Sequence, residues 1–223
     1  MSKGASKTGG SRRRAQRGQA RRSRTSRPVK TTVLIVGEGR ETEPNYFRAL
    51  RSEESVDRRF AITVKKGRGI SREDVVNQAV KLKAQADSHG KGFDEVWCVL
   101  DVETPGARES LNRALAKAKE HGITACLSNP CFEVWLLSHF EKKARAYNDC
   151  DAVIARLNKH WAKVCAEDYR KNDENVYGRV SDLTQTAIEN AQWVRDTHHG
   201  SIEETADANS STEVYRLVRR LLD

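Results

Sequence analysis

The segment Val33-Leu34-Ile35-Val36 is a short, continuous and mostly β-branched apolar run that stops abruptly at Gly37-Glu38-Gly39. It lacks the polar alternation of a half-exposed strand, so it suits a strand covered on both faces, as in a parallel sheet between helices. The break puts Glu38 at the strand's C-terminal end. Glu41, Glu43 and Pro44 then announce a helix carrying Tyr46, Phe47 and Leu50. In open α/β sheets the crevice outside the carboxyl ends of the strands is where ligands bind.

The same pattern repeats down the chain. Phe60-Ala61-Ile62-Thr63-Val64 reads as a second strand, and Ser71-Arg72-Glu73-Asp74 as a capped start for a helix bearing Val75, Val76, Ala79, Val80 and Leu82. Residues 94–100, Asp-Glu-Val-Trp-Cys-Val-Leu, form a third run, followed by a helix that stops at His121-Gly122 and a fourth run at Ile123–Leu127. This βαβα alternation predicts an α/β fold with a mostly parallel sheet and helices on its faces. The expected organisation is a basic tail at 1–30, an α/β core at 31–145 and a helical C-terminal region at 146–223 packed on that core.

The third run also ends in acids, Asp101-Val102-Glu103. Alternate residues of an extended segment project to the same side, so Asp101 and Glu103 can point together. If the first and third strands are neighbours, Glu38, Asp101 and Glu103 converge. Carboxylates held so close repel unless a cation neutralises them, and hard oxygen ligands suit Mg²⁺ or Mn²⁺.

A glutamate after the first strand and a D-x-D-type pair after a later one resemble the Toprim domain, the metal-binding core of topoisomerases, primases and OLD-type nucleases. More narrowly, residues 38–47 (Glu-Gly-Arg-Glu-Thr-Glu-Pro-Asn-Tyr-Phe), Asp101-Val102-Glu103 and residues 128–137 (Ser-Asn-Pro-Cys-Phe-Glu-Val-Trp-Leu-Leu) together resemble the RloB-like family. Position 103 is Glu where the commoner pattern has Asp, which keeps a ligand but alters its reach. The resemblance implies a Toprim-like core, a role in bacterial defence and abortive infection, and control by an RloA-type ATPase. It also draws attention to Glu133, an acid in a helix's first turn, either near the metal centre or simply favoured there by the helix dipole. Asn129 is read as a helix cap or a substrate contact.

Charge is distributed unevenly. The chain carries 40 Lys and Arg against 31 Asp and Glu, a formal net charge of +9, but eleven of the cations and none of the acids lie in residues 1–30. The remainder therefore holds 40 − 11 = 29 cations against 31 acids, and the basicity belongs to the tail. With almost nothing to bury, that tail is expected to be disordered and to meet phosphate backbones electrostatically. No window approaches the length of apolar sequence a membrane span needs, and the N-terminus lacks a secretory apolar core. Five cysteines without a C-x-x-C pair read as reduced thiols, with Cys98, Cys126 and Cys131 buried, and hence as a cytoplasmic protein without a zinc site.

Lys65-Lys66-Gly67-Arg68-Gly69 is either a phosphate-binding loop or an ordinary strand-to-helix turn. Residues 168–175, with Tyr169, Arg170 and Lys171, read as a solvated polar insert. His139 reads as a surface or core histidine rather than a ligand, and His198-His199 as part of a polar loop. Asn209-Ser210-Ser211-Thr212 reads as the cap of a last helix with Val214, Leu217, Val218 and Leu221 facing inward. The leading expectation is a metal-dependent nuclease acting on DNA or RNA. Glu38, Asp101 and Glu103 would hold the metal, with Glu43 or Glu133 as further ligand or general base. Lys65, Lys66 or Arg68 would neutralise charge on the phosphate. The alternative is a non-catalytic nucleic-acid-binding module on the same scaffold.

Overall fold

The computed structural model describes residues 1, 29–67, 71–102, 108–198 and 208–223. The expectations for most of the basic tail, for Arg68 and Gly69, for Glu103 and for His199 lie outside the described residues. A five-stranded mixed sheet organises the rest, in the order β2-β1-β3-β4-β5. β1 (Thr31–Gly37), β2 (Phe60–Lys65), β3 (Glu95–Asp101) and β4 (Thr124–Asn129) run parallel, and the two-residue β5 (Ser211–Thr212) pairs antiparallel with β4.

The apolar runs of β1, β3 and β4 fill the interior as the sequence predicts, while the edge strand β2 is buried at Phe60 and Val64. Val33, Leu34, Ile35 and Val36 are wholly buried, and successive residues alternate between two separate cores. Leu34 and Val36, with Cys98, Leu100 and Leu127, meet α3 (Arg72–Ser88) and α4 (Arg108–Glu120) on one face. Val33 and Ile35, with Trp97, Val99 and Cys126, meet the larger layer on the other. That layer contains α1 (Thr42–Leu50), α2 (Glu54–Asp57), α5 (Glu133–Ser138), α6 (Cys150–Cys165), α7 (Thr184–Thr197) and α8 (Val214–Leu222).

Two local features add to the sequence reading. Ser211 and Thr212 form a strand as well as leading into the last helix: Thr212 Oγ1 accepts the Val214 N–H at 3.3 Å and shares a 2.8 Å hydrogen bond with the Ser128 hydroxyl, and Glu213 N–H donates to the Leu127 carbonyl at 2.7 Å. Closing the edge of β4 satisfies more backbone groups than a single cap would. Asn129 ends β4 opposite Ser211, three residues before Phe132, which precedes α5. The expected inward face of α8 holds, with Val214, Leu217, Val218 and Leu221 fully buried.

The strand order sets the position of the site. From β1 the chain passes to β2 on one side, then crosses to β3 on the other. A crevice therefore opens between the carboxyl ends of β1 and β3, where connections leave in opposite directions. Among the described residues, no helix is long and apolar enough to cross a membrane.

Candidate active site

Glu38 and Asp101 lie at the mouth of that crevice. Glu38 extends the β1–β3 ladder, its N–H donating to the Val99 carbonyl at 3.1 Å, while its own Oε2 accepts the Asp101 N–H at 3.0 Å. Arg72, from the first turn of α3 and only 7% exposed, donates its Nε to the Asp101 carbonyl and an Nη to the Val102 carbonyl at 2.7 Å. A buried guanidinium thus fixes the backbone that carries Asp101. In sequence Arg72 reads only as a helix-start residue.

The glycines flanking Glu38 are close-approach positions. A Cβ at Gly39 would sit 2.1 Å from Glu43 Oε2, so the missing side chain is what lets the Glu43 carboxylate fold back and accept the Gly39 N–H at 2.8 Å. A Cβ at Gly67 would lie 2.3 Å from the Glu38 carbonyl oxygen. The loop after β2 therefore rests directly on the end of β1. Lys65 and Lys66, which lead into it, are exposed and stand outside the cavity.

Glu133 comes from the third separated segment. α5 is buried along its whole length, and its aromatic residues interlock with α1: Tyr46 meets Phe132 and Trp135 edge to face at 5.7 and 6.2 Å between ring centres. That packing holds Glu133, 3% exposed, at the inner wall. Its Oε1 accepts the Tyr169 hydroxyl at 2.9 Å and lies 3.8 Å from Lys171 Nζ. Tyr169 also shares a 3.0 Å hydrogen bond with Thr42 and packs on Trp161 of α6, with ring centres 5.3 Å apart. The polar insert is largely exposed, as expected of a solvated loop, but it is anchored through Tyr169. Its one aromatic residue is the signal that could have shown it docking.

Together these groups enclose a cavity of about 370 Å³, walled by the carboxylates of Glu38, Glu41, Glu43, Asp101 and Glu133, the cations Arg40 and Lys171, and Gly39, Thr42 and Phe132. Five acids against two cations leave an excess of negative charge. Glu43 registers it: burial chiefly, with the neighbouring charges of Glu133 and Glu38, pushes its carboxyl up to about 7. All the carboxylates expected at the site and lying within the described residues, Glu38, Asp101, Glu43 and Glu133, meet here. Asn129, Lys65 and Lys66 do not line it. A larger groove of about 710 Å³ along α4 and the start of β4 has no carboxylate in its wall, so volume alone does not locate the chemistry.

Clustered carboxylate oxygens with surplus negative charge fit a hard divalent cation. Glu38 and Asp101, with Glu103 two residues on in sequence, have the residue types to hold one. A tighter ligand-type group, with one donor atom from each residue within 4.8 Å of the others, is Cys131, Glu133 and Cys150. Cys131 and Cys150 are joined in a disulfide with Cα atoms 5.7 Å apart, which corrects the reading of Cys131 as a reduced thiol. The packing of α6 against α5 brings together cysteines 19 residues apart, a pairing no local spacing could reveal. Cys98 and Cys126 are buried free thiols as expected, and burial pushes Cys98 up to about 12. His139 is a core residue, 1% exposed.

A mostly parallel, helix-flanked sheet with an acidic cavity at its switch point defines an α/β protein with a candidate site where such sheets bind ligands. The family model for RloB-like proteins matches residues 33–221, and the chain belongs to that family. No curated protein and no solved structure gives a significant match.

Proposed function

We propose that this chain is a cytoplasmic, divalent-cation-dependent nuclease on a Toprim-like core. It would cleave phosphodiester bonds of DNA or RNA within a bacterial anti-phage or abortive-infection system under the control of a partner RloA-type ATPase. The observation that carries the reading is the convergence of Glu38, Asp101, Glu43 and Glu133, from three separated segments, on one cavity at the carboxyl ends of β1 and β3. Family membership supports the defence setting.

Glu38 and Asp101, with Glu103, would hold Mg²⁺ or Mn²⁺. When bound, such a cation polarises a phosphoryl oxygen and makes water more acidic. The remaining roles belong to the chain's own groups. Glu43, whose carboxyl changes charge near neutral pH, is suited to exchange a proton with a reacting oxygen. Lys171 and Arg40 offer positive charge to a phosphate entering between acids. Arg72 keeps Asp101 in place from behind. Lys65, Lys66 and Arg68, which follow β2 in sequence, and the basic tail would hold the flanking backbone. Asn129, at the carboxyl end of β4, would be a further substrate contact.

The test is cleavage of labelled plasmid DNA and total RNA with Mg²⁺ or Mn²⁺, with and without an ATPase encoded beside the gene. Cutting by the wild type that is lost in both Glu38→Ala and Asp101→Ala is the expected result. Cutting that survives both substitutions rejects the site. Absence of cutting, with nucleic-acid binding that disappears on removal of residues 1–29, would favour a non-catalytic binding module.

A further inference from the structure

We propose that Cys131 and Cys150 form a reversible dithiol–disulfide site that reacts with low-molecular-weight disulfides of the glutathione type and reports the thiol balance to the wall of the acidic cavity. Its effect on catalysis rests on the nuclease reading; the thiol chemistry does not. Three observations set this pair apart from the other cysteines. Their sulfurs are within bonding reach, and their Cα separation of 5.7 Å is ordinary for a disulfide. The two residues differ in access: Cys131 is 1% exposed, while Cys150 is part-exposed and opens α6, a helix of 16 residues. Lys171 Nζ lies 4.0 Å from the Cys150 sulfur.

A small disulfide can reach Cys150 and not Cys131, so Cys150 is the attacking sulfur and buried Cys131 the resolving one. Glu133 Oε2 lies 3.2 Å from the Cys150 sulfur. Burial holds Cys98 as a thiol, and it does the same for Cys126 and Cys165 in spite of Arg216 beside the one and Arg179 beside the other. In the forward step the Cys150 thiolate attacks one sulfur of the small disulfide RSSR, forming Cys150–S–S–R and releasing RS⁻. The Cys131 sulfur then attacks Cys150, expelling the second RS⁻. The protein loses two electrons and two protons, and RSSR becomes two RSH.

The link to the cavity is direct. In the dithiol state Cys150 S–H can donate to Glu133, and in the disulfide state that hydrogen is gone. Glu133 is then left to Tyr169 and Lys171, its neighbours from the segment that closes over the cavity. Oxidation should therefore tighten that segment, and reduction should loosen it.

The experiment uses the full chain equilibrated in glutathione buffers of graded ratio, quenched in acid, alkylated and weighed intact. The expected result is five alkylated thiols under reducing conditions and three under oxidising ones, from the chain's five cysteines. The transition should vanish in Cys150→Ala and in Cys131→Ser, and Lys171→Met should slow pair closure several-fold at pH 7. Hydrogen exchange in residues 167–173 should slow on oxidation in the wild type and not in Cys150→Ala. Five thiols at every ratio, or three at every ratio, would overturn the proposal, the second because the bond would then be purely structural. Unchanged exchange in residues 167–173 would overturn the link to the cavity. Loss of nucleic-acid cleavage in both redox states, with the thiol transition intact, would strike the nuclease reading alone.

Discussion

Replacing Glu43 by Gln should stabilise the protein above neutral pH while impairing whatever the cavity does. Glu43 is 4% exposed, and burial with nearby Glu133 and Glu38 pushes its carboxyl from the ordinary 4.5 up to about 7. A group whose proton affinity is higher folded than unfolded contributes stability that is fully present below the unfolded value. That contribution fades as pH rises toward the folded one, because the unfolded chain releases its proton first. From 4.5 to about 7 the loss is about 3 kcal/mol, at about 1.4 kcal/mol per tenfold change in proton affinity. Gln keeps the oxygen that accepts the Gly39 N–H and carries no charge to bury. Urea unfolding of both proteins in EDTA should give nearly equal stability at pH 4 and a Glu43→Gln variant more stable by about 3 kcal/mol at pH 8. A gain that is absent, or that is the same at both pH values, would refute the argument that the cavity stores unfavourable negative charge. Such stored cost is typical of sites kept for function at the expense of stability.

Other substitutions test the supports of the site. Arg72→Met removes two hydrogen bonds from a charged donor to the carbonyls of Asp101 and Val102. It should cost about 3 kcal/mol, seen as a drop of about 6–12 °C in the melting temperature, and a drop below about 2 °C would show that Arg72 does not brace β3. Gly67→Ala puts a methyl 2.3 Å from the Glu38 carbonyl oxygen, so the end of β1 must shift. Mn²⁺ affinity, read by calorimetric titration, should fall about tenfold or more, and an unchanged affinity would separate the glycine loop from the site. Burial lowers His139 from the ordinary 6.5 to about 4, so its contribution is complete above 6.5 and is lost as pH falls toward 4. Wild type should lose about 3 kcal/mol more than His139→Gln between pH 7.5 and 4, and parallel losses would contradict it.

Much of this protein is legible in its order of residues. Four strand-like runs, each followed by helical periodicity, determine a layered α/β sheet, and the three that are most continuously buried, β1, β3 and β4, are the strands covered on both faces. Acids placed directly after β1 and β3 are committed to the sheet's carboxyl edge by that arrangement alone. Family motifs added Glu133, whose helix position is local information. Tertiary structure decided what depends on distant segments meeting. The switch between β1 and β3 brings Glu38 and Asp101 together, but Tyr169 and Lys171 reach Glu133 only because α6 presents Trp161 beneath them. Arg72 looked like an ordinary helix-start residue until α3 packed behind β3, and Cys131 looked like a buried thiol until α6 brought Cys150 against it. Strand and helix patterns are set by neighbours in the chain, whereas the charge on Glu43 and the fate of two sulfurs are set by neighbours in space.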